Sequence, residues 1–158
     1  MNRKDGPWLV GFRDAPCPMR FAIFGSGRGR EMYVGLMGKS EMIVRKTDLV
    51  SRLGGVKVDV LSTPRLLQLM EAAAIEAIRA FVQPDQMTLG TLLKVRHLSP
   101  TPLGMRVTAH AVLKEVDDRR LLFWVDAHDE REKIAEGEHE RVLMSRERFF
   151  QKIEKKRT

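Results

Sequence analysis

The order of apolar and polar residues predicts one long helix near the middle of the chain. After the Ser-Thr-Pro sequence, apolar side chains recur every three or four residues, as on one face of an α-helix. Thr63 is expected to be the N-cap, Pro64 fits the first turn, and Pro84 ends the helix. The predicted apolar face consists of Leu66, Met70, Ala73, Ala74, Ala77, Ile78 and Phe81.

Strands are predicted on both sides of this helix. Residues 32–44 form an extended segment with a glycine break, and extended segments follow the helix. The segments after the helix are residues 87–99, 105–116, 121–130 and 133–145. The shared face predicted for the first of these comprises Leu89, Thr91, Leu93, Val95 and His97.

This order of elements predicts an α+β fold. One helix cannot cover both faces of a sheet, so the sheet should be antiparallel and wrap around the helix. An uncovered face or edge favours a homodimer with its active sites near the interface. We expect the domain to span residues 32–150, between a flexible basic extension at residues 1–31 and a basic, helical tail at residues 151–158. A chain beginning at Met32 should keep its fold and activity.

Glu71 interrupts the apolar pattern of the helix. Leu67 and Ile78 flank it on one side and Ile75 on the other. A carboxylate in that position loses hydration and needs either a partner or a function. The alternative is a boundary glutamate that reaches water along its own stem.

One histidine also occupies an unusual position. His97 alternates inward at the end of a strand that must pack against the helix, so Glu71 and His97 are predicted to form an acid/base pair. The alternative is a core histidine with satisfied hydrogen bonds. His110 and His128 are predicted on the solvated surface, and alternation assigns no side to His139.

The net charge of +7 belongs to the ends of the chain. Residues 1–31 carry six basic and three acidic side chains, residues 146–158 carry six and two, and the residues between them are neutral overall. Strands with interleaved basic and aromatic residues, typical of single-strand binders, are missing. A nucleic-acid partner is therefore weakly supported. If the tails did bind nucleic acid, binding would fall steeply with salt and vanish on trimming them.

Composition bounds the remaining possibilities. A chain of 158 residues with 43% hydrophobic residues suits one globular domain. No apolar run is long enough to span a bilayer, and no secretory signal pattern is present. The single cysteine, Cys17, forms no internal disulfide, so we expect a reducing cytoplasm. No Cys/His spacing suggests a metal site, and no cofactor is expected.

Three separated stretches resemble one known family. "STPRLLQLMEAAA", "LGTLLKVRHLSPTPLG" and "GEHER", in this order, look like the hotdog-fold thioesterases of the fluoroacetyl-CoA thioesterase-like group, and the resemblance runs from about Met32 to Phe150. It implies a hotdog fold, an antiparallel sheet wrapped around one long helix, in a homodimer that hydrolyses acyl-CoA thioesters. The fluorine-selective member has phenylalanines before its catalytic threonine, whereas residues 51–61 here contain none. The acyl group therefore stays open.

The resemblance also implies roles for individual residues. The family's catalytic Thr, Glu and His correspond to Thr63, Glu71 and His97, and its substrate-binding Gly and Arg correspond to Gly90 and Arg141. Glu71 would attack the thioester or position the attacking water, with His97 as general base and acid. Thr63 would hydrogen-bond one of them or the substrate. The Gly90 N–H would stabilise the oxyanion, and Arg141 would hold a carbonyl or phosphate oxygen.

Two other functions remain as alternatives on the same fold. A protein that binds acyl-CoA without hydrolysing it would release no thiol. A hydratase would use an Asp/His pair in a loop-helix setting, whereas here the helix carries Glu71 and a strand carries His97. Singly, Thr63 could be only a cap, Gly90 a strand bulge and Arg141 a surface ion pair.

Overall fold

The structure, a computed structural model, describes residues 31–54 and 57–157. The predicted extension at residues 1–31 thus lies outside the described residues, apart from Glu31. The helices and strands, in chain order, are β1 Met37–Ile43, α1 Thr63–Ile78, β2 Gln86–His97, β3 Arg106–Asp117, β4 Arg120–His128, β5 Lys133–Ser145 and α2 Arg146–Arg157. Two short 3-10 turns, Lys46–Asp48 and Val50–Arg52, lead from β1 towards α1.

The five strands form one antiparallel sheet in the order β1-β3-β4-β5-β2. Helix α1 packs on one face of this sheet, and the core lies between the two. This confirms the predicted α+β fold, with its antiparallel sheet around one helix. Because β1 and β2 are the outermost strands, each leaves one backbone edge without a partner strand among the described residues.

Small residues let α1 approach the sheet closely. The predicted apolar face of the helix is buried from Leu66 to Ile78, with Phe81 partly buried beyond the helix end. Opposite this face lies Gly38 on β1. A Cβ atom at Gly38 would overlap the Ala73 carbonyl oxygen and lie 2.8 Å from the Ala77 Cα. The absence of a side chain at Gly38 therefore sets the distance between α1 and β1.

The start of α1 differs from the prediction by one residue. The N-cap is Ser62, which makes no side-chain capping hydrogen bond, and Thr63 is the first helical residue. The prediction of Thr63 as the N-cap is therefore wrong. Its hydroxyl instead lies 2.9 Å from His97 Nδ1, so a contact across the fold takes the group that local sequence assigns to the cap.

A β-bulge corrects the predicted face of β2. Gly90 pairs with Arg141 and Leu92 pairs with Glu140, which leaves Thr91 as an extra residue. The side chain of Thr91 is exposed and bonds the Glu140 carboxylate on the outer face of the sheet. The predicted face is therefore wrong for Leu89, before the bulge, and for Thr91, within it, because both side chains point outward. After the bulge the remaining members of that face point towards α1, as predicted.

The other predicted features fall as follows. His110 and His128 lie on the outer face of the sheet as predicted, each about one-third exposed and within 4 Å of the buried Asp126 carboxylate. The basic tail is helical, but α2 begins at Arg146 and so crosses the predicted boundary at residue 150. Neither α1 nor α2, nor any other helix in residues 31–54 and 57–157, has the length and apolar content to cross a membrane.

Candidate active site

The first part of the candidate site joins the beginning of α1 to the end of β2. Thr63 Oγ1 lies 2.9 Å from His97 Nδ1. The second ring nitrogen, Nε2, is buried and has no hydrogen-bond partner among the described residues. Burial lowers the pKa of His97, an effect that the backbone at Ser99 partly opposes. The ring is therefore neutral at neutral pH and able to accept a proton.

The second part is centred on the Glu71 carboxylate. Glu71 Oε1 accepts a hydrogen bond of 2.6 Å from Arg141 Nη1, and the side chain of Glu71 remains 37% exposed. The hydrogen bonds of this carboxylate to described residues all involve Oε1. Oε2 is thus available to a substrate or a water molecule while the guanidinium holds the other oxygen.

The side chain of Arg141 on β5 is buried, and its hydrogen bonds are made inside the protein. Only 3% of its side chain is exposed. Nε donates to Thr88 Oγ1 at 3.1 Å and Nη2 donates to the Thr88 carbonyl at 2.9 Å. Nη1 donates to Glu71 and also lies 3.1 Å from His139 Nε2. Four of its five N–H groups therefore have acceptors inside the fold.

Gly90 brings the backbone of β2 against this group. A Cβ atom at Gly90 would lie 3.0 Å from Glu71 Oε1, 3.0 Å from His139 Cε1 and 3.7 Å from Arg141 Nη1. A side chain at this position would press on Glu71 and His139 and would make an ordinary contact with Arg141. The bulge that follows Gly90 turns the strand so that this glycine, rather than its neighbours, faces α1.

The five predicted site residues thus fall into two groups within one chain. Thr63 and His97 form one group, and Glu71, Gly90 and Arg141 form the other. Glu71 follows Thr63 by eight residues on α1, a rise of about 12 Å. Among the described residues, Glu71 bonds Arg141 and His97 bonds Thr63, and no hydrogen bond or ion pair joins Glu71 to His97 within one chain.

Comparisons with known proteins agree with this architecture. Residues 44–147 match the family of fluoroacetyl-CoA-specific thioesterases. The chain belongs to this family. It is 38% identical over 98 residues to the fluoroacetyl-CoA thioesterase of Streptantibioticus cattleyicolor, a match that covers 62% of this chain and 70% of that protein.

Solved structures lead to the same family. A structure of the fluoroacetyl-CoA thioesterase FlK superposes with a TM-score of 0.76 and 32% identity, covering 80% of this chain and 98% of that one. A Thermus thermophilus protein described as a thioesterase superfamily member superposes with a TM-score of 0.71 and 26% identity, covering 78% and 93%. The chain is therefore a hotdog-fold thioester hydrolase.

The arrangement suits hydrolysis by side chains. It offers a neutral imidazole beside a hydroxyl, a carboxylate with one oxygen held in place, and an exposed glycine backbone next to that carboxylate. In the described part of the chain, no group of three or more His, Cys, Asp or Glu side chains is placed to hold a metal ion.

His139 also belongs to this candidate site, although the sequence does not single it out. His139 is 1% exposed and lies between Arg141 and the Leu92 carbonyl. The signal that could have found it is its spacing, since residues two apart on a strand share a face. The side chain of His139 therefore lies on the same face of the sheet as that of Arg141.

Proposed function

We propose that the protein hydrolyses an acyl-CoA thioester to the free acid and CoA, using Thr63, Glu71 and His97. The observation that carries this proposal is that two reactive side chains, His97 and Glu71, are each held by one atom while a second atom remains available. The Thr63 hydroxyl bonds His97 while the second ring nitrogen is unpartnered, and Arg141 holds Glu71 by one oxygen only. A relative named for fluoroacetyl-CoA supports a CoA thioester as the substrate class.

In this proposal the three side chains divide the work of hydrolysis. Neutral His97 accepts a proton from the attacking water as the water oxygen bonds the thioester carbon. Glu71 Oε2 either orients that water or first attacks the carbon and displaces the thiolate, forming a mixed anhydride that the water then hydrolyses to the free acid and the regenerated carboxylate. When the C–S bond breaks, the proton passes from His97 to the departing thiolate, which needs little assistance because a thiol is already acidic. Thr63 fixes the ring of His97.

Two further residues support the reacting groups. Gly90 is proposed to present its N–H to the thioester oxygen, since its backbone is exposed and carries no side chain. Arg141 is proposed to orient Glu71, because only one of its five N–H groups remains for a substrate oxygen.

We further propose that two chains assemble through the unpaired edge of β2. A strand of twelve residues with one side unpaired is a template for antiparallel pairing with its own copy. Because Thr91 is an extra residue, pairing centred on Lys94 would place the bulge at Gly90 and Thr91 of one chain opposite His97 of the partner subunit. Glu71 of one chain would then meet the Thr63–His97 group of the partner subunit. In the proposed homodimer, the two groups of site residues that lie apart in a single chain thus come together across the interface.

The test is thiol release from a panel of acyl-CoAs in the presence of a thiol reagent. The panel includes short, long, branched and aromatic acyl groups, with acetyl-CoA and fluoroacetyl-CoA as a matched pair. We expect turnover of at least one thioester, and kcat/KM identifies its acyl group. Binding without thiol release would favour the non-hydrolytic acyl-CoA binder. The proposed location is the cytoplasm, on the basis of the single cysteine.

A further inference from the structure

We propose that His139, as the neutral tautomer with its proton on Nδ1, is a positioning residue that orients Glu71 through Arg141. This inference rests on the proposed function, in which Glu71 reacts. His139 lies on β5 two residues before Arg141 and faces α1. Its ring is 1% exposed and packs beside Phe123, with ring centroids 6.3 Å apart.

The partners of the ring determine its tautomer. His139 Nδ1 lies 2.8 Å from the Leu92 carbonyl oxygen, which can only accept a hydrogen bond, so Nδ1 must carry a proton. His139 Nε2 lies 3.1 Å from Arg141 Nη1, which can only donate, so Nε2 must offer its lone pair. The neutral Nδ1–H form is the one protonation state that satisfies both contacts.

The surroundings keep the ring in this neutral form. Burial lowers the pKa of His139, and the charge of Arg141 lowers it further. The Leu92 carbonyl and the charge of Glu71 oppose this, but the net direction is downward. Strand β4 places the apolar Phe123 ring beside His139. A protonated ring would direct an N–H at the guanidinium and break their contact.

These contacts form a chain from the backbone to the carboxylate. The Leu92 carbonyl follows directly after the bulge in β2, where the ladder is interrupted and a carbonyl can accept a side-chain hydrogen bond. It fixes His139, which accepts from Arg141 Nη1, and the same Nη1 donates to Glu71 Oε1. Without the ring nitrogen, Nη1 would lose one of its two acceptors and the guanidinium could turn. The second carboxylate oxygen of Glu71 would then lose its alignment.

The test compares two variants with wild type in the full-length chain. His139→Phe keeps an aromatic ring but removes both hydrogen bonds. His139→Gln supplies one donor and one acceptor, as the neutral ring does, and does not titrate. We expect His139→Phe to lower kcat about 10- to 100-fold at nearly unchanged KM, as a misplacement of about 1 Å can do. His139→Gln should restore kcat to within about threefold of wild type.

Stability is measured for every variant beside these rates. If His139→Phe melts far below wild type, His139→Asn replaces it, because its short amide reaches only the Leu92 carbonyl. Full activity of the loss variant overturns the positioning role. So does a His139→Gln protein that is as slow as His139→Phe at a normal melting temperature, since then the ring only fills space.

A second readout needs no catalysis. In ¹H–¹⁵N spectra of arginine side chains, the N–H groups of Arg141 should exchange slowly in wild type and in His139→Gln, and rapidly in His139→Phe. Unchanged exchange in His139→Phe overturns the inference. If wild type releases no thiol from any acyl-CoA, the proposed thioesterase function fails, while this spectrum still decides whether His139 orders Arg141.

Discussion

The Thr63 hydroxyl and the His97 ring lie 2.9 Å apart, joining the first residue of α1 to the last residue of β2. This contact occupies Nδ1 and leaves Nε2 buried without a partner in the described chain. An unpaired buried polar atom costs about 1–3 kcal/mol of folding free energy. A binding site is a physical reason to retain such a cost, because a substrate or the attacking water can supply the missing partner.

We predict that activity and stability both depend on the protonation of His97. Burial lowers its pKa below the ordinary value of 6.5, so the ring is an effective base above that pH. As pH falls through the lowered pKa, the ring charges and turnover should be lost. The unfolded chain binds this proton more readily than the folded chain. The free energy of unfolding should therefore decrease as pH drops below 6.5 and be largest above it.

Rates and urea unfolding between pH 5 and 8 check this dependence on His97. His139 has a lowered pKa as well, so His97→Gln and His139→Gln separate the two contributions. Each substitution should flatten part of the stability profile. A wild-type profile that His97→Gln leaves unchanged would contradict the assignment to His97.

Glu71→Gln should lower kcat at least about a hundredfold, because the amide removes the reactive charge. Its oxygen can still accept from Arg141, so the loss of stability should be only about 1 kcal/mol. Glu71→Ala leaves the buried guanidinium without this partner and should cost about 2–3 kcal/mol. Initial rates and melting temperatures measured together separate these effects.

The matched control for Glu71 is Glu76→Gln on the same helix. Glu76 is half exposed and pairs with Arg79 at 3.3 Å on the surface. Its substitution should leave turnover unchanged and alter stability by less than about 0.5 kcal/mol. Normal turnover in Glu71→Gln would show that the carboxylate only stabilises Arg141.

We predict that alanine substitutions at two glycines have different effects, one mainly on stability and the other mainly on kcat. At Gly38 the new methyl group meets the backbone of α1, which cannot move away, so stability should fall by about 1–3 kcal/mol or more. At Gly90 it meets the ends of the Glu71 and His139 side chains at 3.0 Å, and these can shift. Gly90→Ala should therefore lower kcat about tenfold or more with a smaller loss of stability.

The same measurements serve both glycine variants. Melting temperatures and kcat are compared with wild type at one pH. If Gly90→Ala keeps full activity, then the contact of this backbone with Glu71 does not control the reacting carboxylate.

The sequence predicted repeating features of the fold better than single irregularities. The buried face from Leu66 to Ile78 follows from helical spacing, and the strands follow from alternation. The bulge at Thr91 is not visible in the sequence, because an extra residue does not interrupt the alternation of residue types. It does, however, move the residues on one side of it to the opposite face of the sheet. Local sequence predicts Thr63 as a cap because its partner in the fold, His97, is distant in sequence.

The sequence indicates which residues belong to the candidate site, but it does not indicate how they are arranged in space. Glu71 and His97 stand out because polar groups are rare on apolar faces, but that pattern contains no distance between them. His139 escaped notice because its partners are a backbone carbonyl and a side chain on the same strand. The two-residue spacing places His139 on the same face as Arg141, but it does not indicate that the two side chains are in contact.

The proposed assembly predicts that two inactive variants complement each other. Glu71→Gln and His97→Ala should each be at least about a hundredfold slower than wild type. If each site takes Glu71 from one chain and His97 from the partner subunit, a mixed dimer contains one doubly altered site and one intact site. Random mixing gives about half mixed dimers, so activity should recover to about a quarter of the wild-type value.

The experiment combines the two variants at equal concentration, unfolds and refolds them together, and follows thiol release. Each variant refolded alone is the control, and light scattering records the mass of every sample. The double variant Glu71→Gln/His97→Ala mixed with wild type supplies the matched comparison. Its mixed dimers carry one altered residue in each site, so their activity should be lost. Recovery no greater than the sum of the separate variants, in samples that are dimeric, would show that Glu71 and His97 act within one chain. A stable, active monomer would exclude the assembly altogether.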